Sequence, residues 1–319
     1  MNGAQRGDAA PSLWAVVGAT GTGKTALSLE LADRIAARGR GAEIVNADAM
    51  QFYHGMDIGT AKLPIPERRG IPHHFFDVLD VVEEATVAWY QPAVRTVIAD
   101  IHARGRDAIL VGGSGLYVSS ALFDFRFPPR DEELRKRLER QIEDRGVEPL
   151  LARLRELDPR AAHAVDTRNP RRVVRALEVA LLGGDAQVTL PEAPRPWHER
   201  TRIIGVHCER PVLVERLDRR VEGMWAAGLL EEVESLLPRG IERGRTAGRA
   251  IGYAQALAQL RGEASERQAI EETQALTRRY ARRQVSWFKR YSGAIWVDST
   301  ERVSLSEVPD TMLGTIAND

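Results

Sequence analysis

The sequence predicts an α/β protein whose P-loop NTPase-like core is a mostly parallel sheet flanked by helices. Two observations lead to this prediction. Short apolar runs alternate with segments of helical length and period, as expected for parallel strands joined by crossover helices. A glycine-rich loop also joins the first apolar run to the first helical segment. A third observation, a long helical stretch without convincing strands, predicts an additional all-helical insertion.

Five apolar runs are the candidate strands of the sheet. They are bounded by helical patterns or by glycine, and they cover residues 13–17, 43–47, 108–112, 202–207 and 294–297. The helical pattern after residue 86 contains Pro92, which either kinks the helix or marks its first turn.

The helical stretch divides the chain into parts. Asn169-Pro170 is a good helix start and Gly183-Gly184 a good helix end within it. We therefore expect an all-helical insertion between the third and fourth strands. The expected parts are the core at 13–126 and 202–300, the insertion at 127–201, and tails at 1–12 and 301–319.

The loop after the first strand matches G-x-x-x-x-G-K-[ST] at every required position. It reads Gly18-Ala19-Thr20-Gly21-Thr22-Gly23-Lys24-Thr25. Glycines allow backbone N–H groups to approach phosphate oxygens, and the following helix N-terminus adds partial positive charge. We expect Lys24 to neutralise phosphate charge and the Thr25 hydroxyl to ligate Mg²⁺. The loop predicts a site for a di- or triphosphate.

A carboxylate that usually accompanies such a loop is missing from its ordinary place. P-loop kinases and ATPases carry an Asp after a later apolar strand, to hold Mg²⁺. Here the candidate strand runs into Gly112-Gly113-Ser114 instead. The nearest acid that follows a strand is Asp48, which is either a site residue at the sheet edge or a helix N-cap. This absence disfavours ordinary phosphoryl transfer.

Composition limits the other classes of function. Lys+Arg and Asp+Glu both total 45, so nucleic-acid binding would depend on local basic patches. Cys208 is the single cysteine, which excludes an intrachain disulfide. The sequence contains no apolar run of membrane-spanning length and no signal-peptide pattern. We expect a soluble, cytoplasmic protein.

Two basic patches indicate an anionic partner. Residues 273–290 contain no acid and six cations, Arg278, Arg279, Arg282, Arg283, Lys289 and Arg290. Like charges at i,i+4 repel, which favours an anionic partner over a merely solvated face, although both interpretations stay open. Arg171, Arg172 and Arg175 form the second patch. The adjacent His73 and His74 lack a third ligand at metal spacing, so we do not expect a metal site there.

Several ordered motifs together resemble the tRNA dimethylallyltransferase family. They are GATGTGKT (18–25), NADAMQFYHGMDIGTAK (46–62), GIPHHFFDVLD (70–80), LVGGSGLY (110–117), NPRRVVRALEV (169–179), RAIGYAQ (249–255) and RRYARRQVSWFKR (278–290). The resemblance covers residues 13–298. It implies prenylation of N6 of adenosine 37, 3′ to the anticodon, in tRNAs that read codons beginning with U.

The resemblance also implies roles for individual residues. The P-loop would hold the pyrophosphate of dimethylallyl diphosphate with Mg²⁺, and Arg249 would assist it. Asp48 would be the general base, with Ser114 near the reacting centre. Contact with the tRNA anticodon stem-loop is implied for Asp48, Ala49, Met50, Gln51, Ser114, Arg135, Arg171, Arg172, Arg175, Arg249, Gly252, Tyr253, Arg282, Arg283, Gln284, Trp287 and Lys289. A monomer is expected.

Some positions depart from the family pattern. Ala49 stands where Ser is common, Ser114 replaces Thr and keeps the hydroxyl, and Ala254 replaces a longer polar residue. The first and third departures concern RNA contacts rather than the reaction. Two other functions stay open at this point: a P-loop kinase of a nucleotide or small metabolite, which would bind ATP, and an RNA-binding protein without chemistry.

Overall fold

The structure, a computed structural model of the 319-residue chain, describes residues 10–124, 127–184 and 195–308. The chain forms two compact units. The first contains the segments Met1–Phe123 and Arg195–Asp319, and the second is Asp124–Pro194. Sequence patterns had placed the insertion at 127–201, but residues 195–200 group with the first unit and lead into its fifth strand.

A six-stranded parallel sheet is the centre of the first unit. Its strands are β1 (Leu13–Gly18), β2 (Ala42–Asn46), β3 (His73–His74), β4 (Asp107–Gly112), β5 (Thr201–His207) and β6 (Ile295–Asp298). The spatial order is β3-β2-β4-β1-β5-β6, and every neighbouring pair is parallel. The predicted α/β class and the five predicted strands are therefore confirmed. Strand β3 was not predicted because it has two residues, both histidine.

Eleven α-helices are present in the described residues. They are α1 (Lys24–Ala36), α2 (Val87–Ala103), α3 (Gly115–Leu122), α4 (Glu132–Arg145), α5 (Glu148–Leu157), α6 (Pro159–Ala164), α7 (Pro170–Leu181), α8 (Arg210–Ala226), α9 (Leu229–Leu236), α10 (Tyr253–Leu260) and α11 (Glu266–Phe288). Pro92 lies inside α2 and not in its first turn, since Thr86 caps that helix through the Trp89 N–H. Within the described ranges, no helix has the length and apolarity to cross a membrane.

Helix α1 packs on one face of the sheet and fixes the site above it. Its buried face includes Leu27, Leu31 and Ile35, which join Ile44 of β2 and Ile109 of β4 in one core cluster. These residues recur at i, i+4 and i+8, the helical spacing seen in the sequence. Burying this face sets the N-terminus of α1 against the carboxyl end of β1.

The second unit is helical throughout its described residues and has its own core. Helices α4 to α7 bury mainly leucine and valine, including Leu138, Leu154, Val173 and Leu177. Asn169 precedes α7 and Pro170 is its first residue, as predicted, although the Asn169 side chain makes no cap hydrogen bond. This unit therefore has the hydrophobic core that an independent helical domain needs.

Candidate active site

A cavity of about 300 Å³ opens at the carboxyl end of the sheet, beside the P-loop. Parallel α/β sheets bind ligands at this edge. The wall combines backbone and side chains of the P-loop with the end of β2, the segments 60–63 and 73–76, and one residue of α8. Its polar side chains include Lys24, Thr25, Asp48 and Arg220.

The P-loop needs its glycines because of close packing as well as backbone conformation. Gly18 has φ 153°, and a Cβ atom there would lie 2.4 Å from the Val206 carbonyl oxygen. Gly23, at the N-cap of α1, has φ 87° and so lies in the left-handed region. L side chains rarely adopt these conformations. The glycines therefore permit the tight turn at the N-terminus of α1 that this type of loop needs in order to approach an anion.

Lys24 is the cation at the base of the cavity. Its Nζ donates a hydrogen bond of 2.7 Å to the Ala19 carbonyl, across the loop. Burial lowers the pKa of Lys24 to about 8, and this effect exceeds the opposing attraction of Asp48. An anion bound in the loop would raise this pKa again, because an opposite charge favours the protonated amine.

Asp48 lies at the cavity wall directly after β2. Its Oδ1 accepts a 3.1 Å hydrogen bond from the Met50 N–H and so caps the 3₁₀ turn Ala49–Phe52. The Asn46 side chain holds the same loop, accepting from the Asp48 N–H at 2.9 Å and donating to the Asp48 carbonyl at 3.1 Å. The N-cap interpretation is confirmed, and the same carboxylate also lines the cavity.

Burial raises the pKa of Asp48 above its ordinary value, against the opposing effects of the Met50 N–H, Lys24 and Arg220. Desolvation is thus stronger than the two neighbouring cations. A carboxylate with a raised pKa is a better proton acceptor than a solvated one. The cavity therefore contains a potential base, Asp48, close to the two cations Lys24 and Arg220.

Arg220 of α8 is a site residue that the sequence did not reveal. One guanidinium nitrogen donates to Thr20 Oγ1 at 3.2 Å and the other to the Thr60 carbonyl at 3.3 Å. Burial lowers the pKa of Arg220, although Asp48 opposes this change. The sequence shows only an arginine next to the apolar stripe of a helix, and no local pattern places that helix against a loop 200 residues earlier.

Helix α11 connects the P-loop to the loop after β4 through Gln284. The Gln284 Oε1 accepts from the Thr20 N–H at 2.9 Å, and its Nε2 donates to the Gly113 carbonyl at 2.8 Å. The side chain is only 4% exposed. The resemblance implied a tRNA contact for Gln284, but the structure uses both ends of its amide to support the cavity.

Ser114 contacts the residue that follows Asp48, and its implied place near the reacting centre stays a prediction. Its Oγ accepts from the Ala49 N–H at 3.4 Å and lies 3.5 Å from the hydroxyl of Tyr280, on α11. Burial raises the pKa of Tyr280 to about 12, so this phenol stays protonated near neutral pH. The structure therefore brings the loops after β2 and β4 together.

Glu232 of α9 holds the segment that immediately precedes Thr60 and Ala61 of the cavity wall. Its carboxylate accepts from the N–H groups of Asp57, Ile58 and Gly59 at 3.0, 2.7 and 3.3 Å. The Tyr253 hydroxyl donates to the same carboxylate at 2.5 Å. Tyr253 is fully buried, so its side chain is a support for this segment rather than an exposed surface for RNA. The sequence expectation for its side chain is corrected accordingly.

Other residues named by the resemblance lie in varied places. Gln51 lines the cavity and donates to the Thr60 carbonyl at 3.1 Å, whereas Met50 is half-buried nearby. Gly252 precedes α10 with φ 91°. Arg249 is exposed and is not among the residues that line the cavity, whereas Arg220 is.

Exposed cations border a groove on α11, the helix whose Gln284 supports the P-loop. The groove has a volume of about 560 Å³, and Arg282 and Lys289 are among its lining residues. Arg283 lies over the Tyr280 ring at 5.7 Å. Trp287 donates from its indole nitrogen to Ser119 Oγ at 3.1 Å and is half-buried. The α11 surface therefore combines exposed charges with an aromatic ring held by a hydrogen bond.

In the second unit the predicted RNA-binding arginines divide into two groups. Arg171 and Arg172 are exposed on α7. Arg135 and Arg175 instead bind the fully buried carboxylate of Glu178 at 2.6 and 2.8 Å. Because a buried carboxylate requires cationic partners, these two arginines serve the stability of the unit. The RNA contacts expected of Arg135 and Arg175 are corrected in this respect, and those expected of Arg171 and Arg172 stay predictions.

The cavity can hold an anionic leaving group and accept a proton. Lys24, Arg220 and the loop amides supply positive charge, and Asp48 supplies the base. Among the described residues no cluster of three or more His, Cys, Asp or Glu side chains could hold a metal by itself. Mg²⁺ commonly takes few protein ligands together with phosphate oxygens, so the Thr25 hydroxyl facing the cavity fits such a site.

Comparison with known proteins identifies relatives of the whole chain. A sequence model of the family described as IPP transferase matches residues 51–291. The chain is 58% identical over 298 residues to the tRNA dimethylallyltransferase of Clavibacter sepedonicus, covering 93% of this chain and 97% of that protein. The shared length therefore includes both compact units.

Solved structures show the same relationship. The tRNA isopentenylpyrophosphate transferase of Bacillus halodurans is 38% identical with a TM-score of 0.65, covering 95% of this chain and 93% of that one. A eukaryotic dimethylallyltransferase, determined in snapshots acting on tRNA, is 29% identical with a TM-score of 0.77, covering 91% of this chain and 74% of that one. Both likenesses extend across nearly all of this chain.

Proposed function

The chain belongs to the IPP transferase family, and we propose that it transfers a dimethylallyl group from dimethylallyl diphosphate to tRNA and releases diphosphate. The acceptor is N6 of adenosine 37, 3′ to the anticodon, in tRNAs that read codons beginning with U. The protein binds the anticodon stem-loop, and it works as a monomer in the cytoplasm. The family assignment and the names of the relatives support the reaction.

One observation of the cavity carries this proposal. Cations suited to a diphosphate and a carboxylate with a raised pKa line the same 300 Å³ space. A kinase would need the carboxylate to hold Mg²⁺, and β4 ends in Gly112-Gly113-Ser114 without an acid. Asp48 is therefore available as a base.

The diphosphate is the leaving group in this proposal. As the allylic C–O bond breaks, negative charge grows on the diphosphate oxygens. The P-loop amides, Lys24 and Arg220 face that charge from fixed positions, which is electrostatic stabilisation of the transition state. Thr25 would hold Mg²⁺, which supplies further neutralisation of the diphosphate when bound.

Asp48 accepts the proton that the acceptor amine loses. The adenine N6 lone pair forms the new N–C bond, and the C–O electron pair leaves with the diphosphate. The proton that N6 loses passes to the Asp48 carboxylate, so atoms and charges balance. Proton transfer to a positioned side chain contributes about 10²–10⁴-fold in rate. Ser114, next to Asp48, is placed to orient the acceptor base.

The exposed cations are the proposed tRNA-binding surface. Arg282 and Arg283 on α11, with Lys289 directly after it, lie in the first unit, and Arg171 and Arg172 on α7 lie in the second. Each supplies sequence-independent attraction to phosphates. The target base must leave its stack, at a cost of a few kcal/mol that phosphate contacts offset.

A mass-spectrometric assay tests the proposed reaction. Purified protein with Mg²⁺ is incubated with unmodified tRNA that carries A36-A37, and with either dimethylallyl diphosphate or ATP. The proposal predicts a mass gain of one C5 unit on the adenosine with the prenyl donor alone. Transfer of phosphate from ATP without prenylation would refute it.

A further inference from the structure

The cavity has two ends of different chemistry. At the β1 end, the P-loop and Arg220 offer positive charge. Toward β3, the lining includes the apolar side chains of Ile44, Leu63 and Phe76, together with His73. Ile44 of β2 is paired in register with His73 of β3, which places this apolar end at the opposite edge of the sheet from β5. A prenyl diphosphate has the same two-part character.

The length of the cavity follows from the strand order. Between β1 and β3 lie β4 and β2, so the two ends are three strand spacings apart, or about 14 Å. A diphosphate carrying one isoprene unit spans eight bonds, about 10 Å at roughly 1.3 Å projected per bond. A second unit adds four bonds, or about 5 Å, and exceeds the available length.

An aromatic ring that contacts two neighbouring side chains lines the apolar end. Phe76 stacks on His73 with ring centroids 5.6 Å apart and an interplanar angle of 22°. The Arg68 guanidinium lies 4.7 Å from the centroid of the same ring. Arg68 Nε also donates to the Leu63 carbonyl at 3.0 Å, and the His73 Nδ1 bonds the Ile71 carbonyl at 2.7 Å. These contacts hold the ring in place, so a longer ligand cannot displace it cheaply.

We propose that Phe76 limits the donor to a five-carbon prenyl chain. The inference rests on the proposed function and adds the residue that selects among prenyl diphosphates. Leu63 forms the neighbouring wall, whereas the P-loop end recognises the diphosphate that all such donors share. Selectivity therefore arises at the end of the cavity that is farthest from the P-loop.

The test compares dimethylallyl and geranyl diphosphate as donors to unmodified tRNA, with C5 and C10 products separated by mass. Wild type is expected to use dimethylallyl diphosphate with strong preference. Phe76→Ala should shift the ratio of kcat/KM values toward the geranyl donor by at least about 10-fold, since pocket fit for even one methylene is worth that much. Ile65→Ala is the matched control, because Ile65 lies two residues after Leu63 but is 76% exposed and does not line the cavity. This variant should leave the ratio unchanged.

Binding to the free protein gives the same comparison without turnover. Titrations should show that wild type binds geranyl diphosphate more weakly than inorganic pyrophosphate. Phe76→Ala or Phe76→Leu should bind geranyl diphosphate more tightly than pyrophosphate. A variant that still uses dimethylallyl diphosphate, or still binds pyrophosphate, with an unchanged ratio would overturn the role of Phe76. Failure of wild type to use any prenyl donor would instead refute the proposed function.

Discussion

Replacing Arg220 by glutamine removes one positive charge from the diphosphate end of the cavity. The guanidinium is buried, and in the ligand-free protein it binds Thr20 and the Thr60 carbonyl. A hydrogen bond that involves a charged group contributes about 1.5–3 kcal/mol. The variant should therefore bind inorganic pyrophosphate about 10- to 150-fold more weakly, as measured by calorimetry.

The pH dependence of kcat/KM distinguishes a direct electrostatic role from a structural one. Activity requires ionised Asp48, whose pKa is raised by burial, and charged Lys24, whose pKa is about 8. Wild type should lose activity as Asp48 becomes protonated at low pH and as Lys24 is deprotonated above about pH 8. The Arg220 charge lowers both pKa values, so Arg220→Gln should move both limbs of the profile to higher pH.

Two further variants are controls for this prediction. Arg220→Lys keeps the charge and should keep the limbs in place while losing part of the affinity, because an ammonium cannot reproduce the guanidinium geometry. Arg219→Gln alters an exposed neighbour that pairs with Glu215 and should match wild type. Pyrophosphate affinity within twofold of wild type, with both limbs unmoved in Arg220→Gln, would refute the electrostatic role of Arg220.

Other variants test the supports of the site and the RNA surface. Glu178→Ala leaves two arginines without their buried carboxylate and should lower the free energy of unfolding by about 3–5 kcal/mol in a urea titration; an effect below 1 kcal/mol would contradict the burial argument. Gln284→Leu should lower the free energy of unfolding by about 1–3 kcal/mol for each backbone group left unpaired, and it should weaken pyrophosphate binding. Unaltered pyrophosphate binding would show that the P-loop holds its shape without this amide. Arg282→Ala combined with Arg283→Ala should weaken tRNA binding and flatten its salt dependence, and an unchanged slope would mean that these side chains face solvent only.

Local pattern was sufficient for much of the fold and for the P-loop. Apolar runs predicted five of the six strands, and the loop sequence placed Lys24 and Thr25 at the sheet edge. Two-residue β3 gave no apolar signal, because its histidines are held by pairing with β2 rather than by their own propensity. The order of the strands, and which distant segments contact each other, could therefore be learned only from the structure.

The site was less predictable because its supports come from distant helices. Arg220 and Gln284 reach the P-loop from α8 and α11, and nothing in their local sequence specifies that contact. Basic residues were also ambiguous. Arg175 and Arg172 lie on the same short helix, yet one binds Glu178 and the other is exposed. Charge pattern predicts a basic face but cannot distinguish a buried partner from a solvent contact.

The measurement closest to the central claim is single-turnover prenylation by Asp48→Asn, beside its tRNA affinity. The asparagine keeps an oxygen that can accept the Met50 N–H, so the loop after β2 should keep its shape. The account predicts tRNA binding close to that of wild type and a prenyl-transfer rate lower by at least about 10². A near-normal rate would contradict Asp48 as the base that receives the adenosine proton.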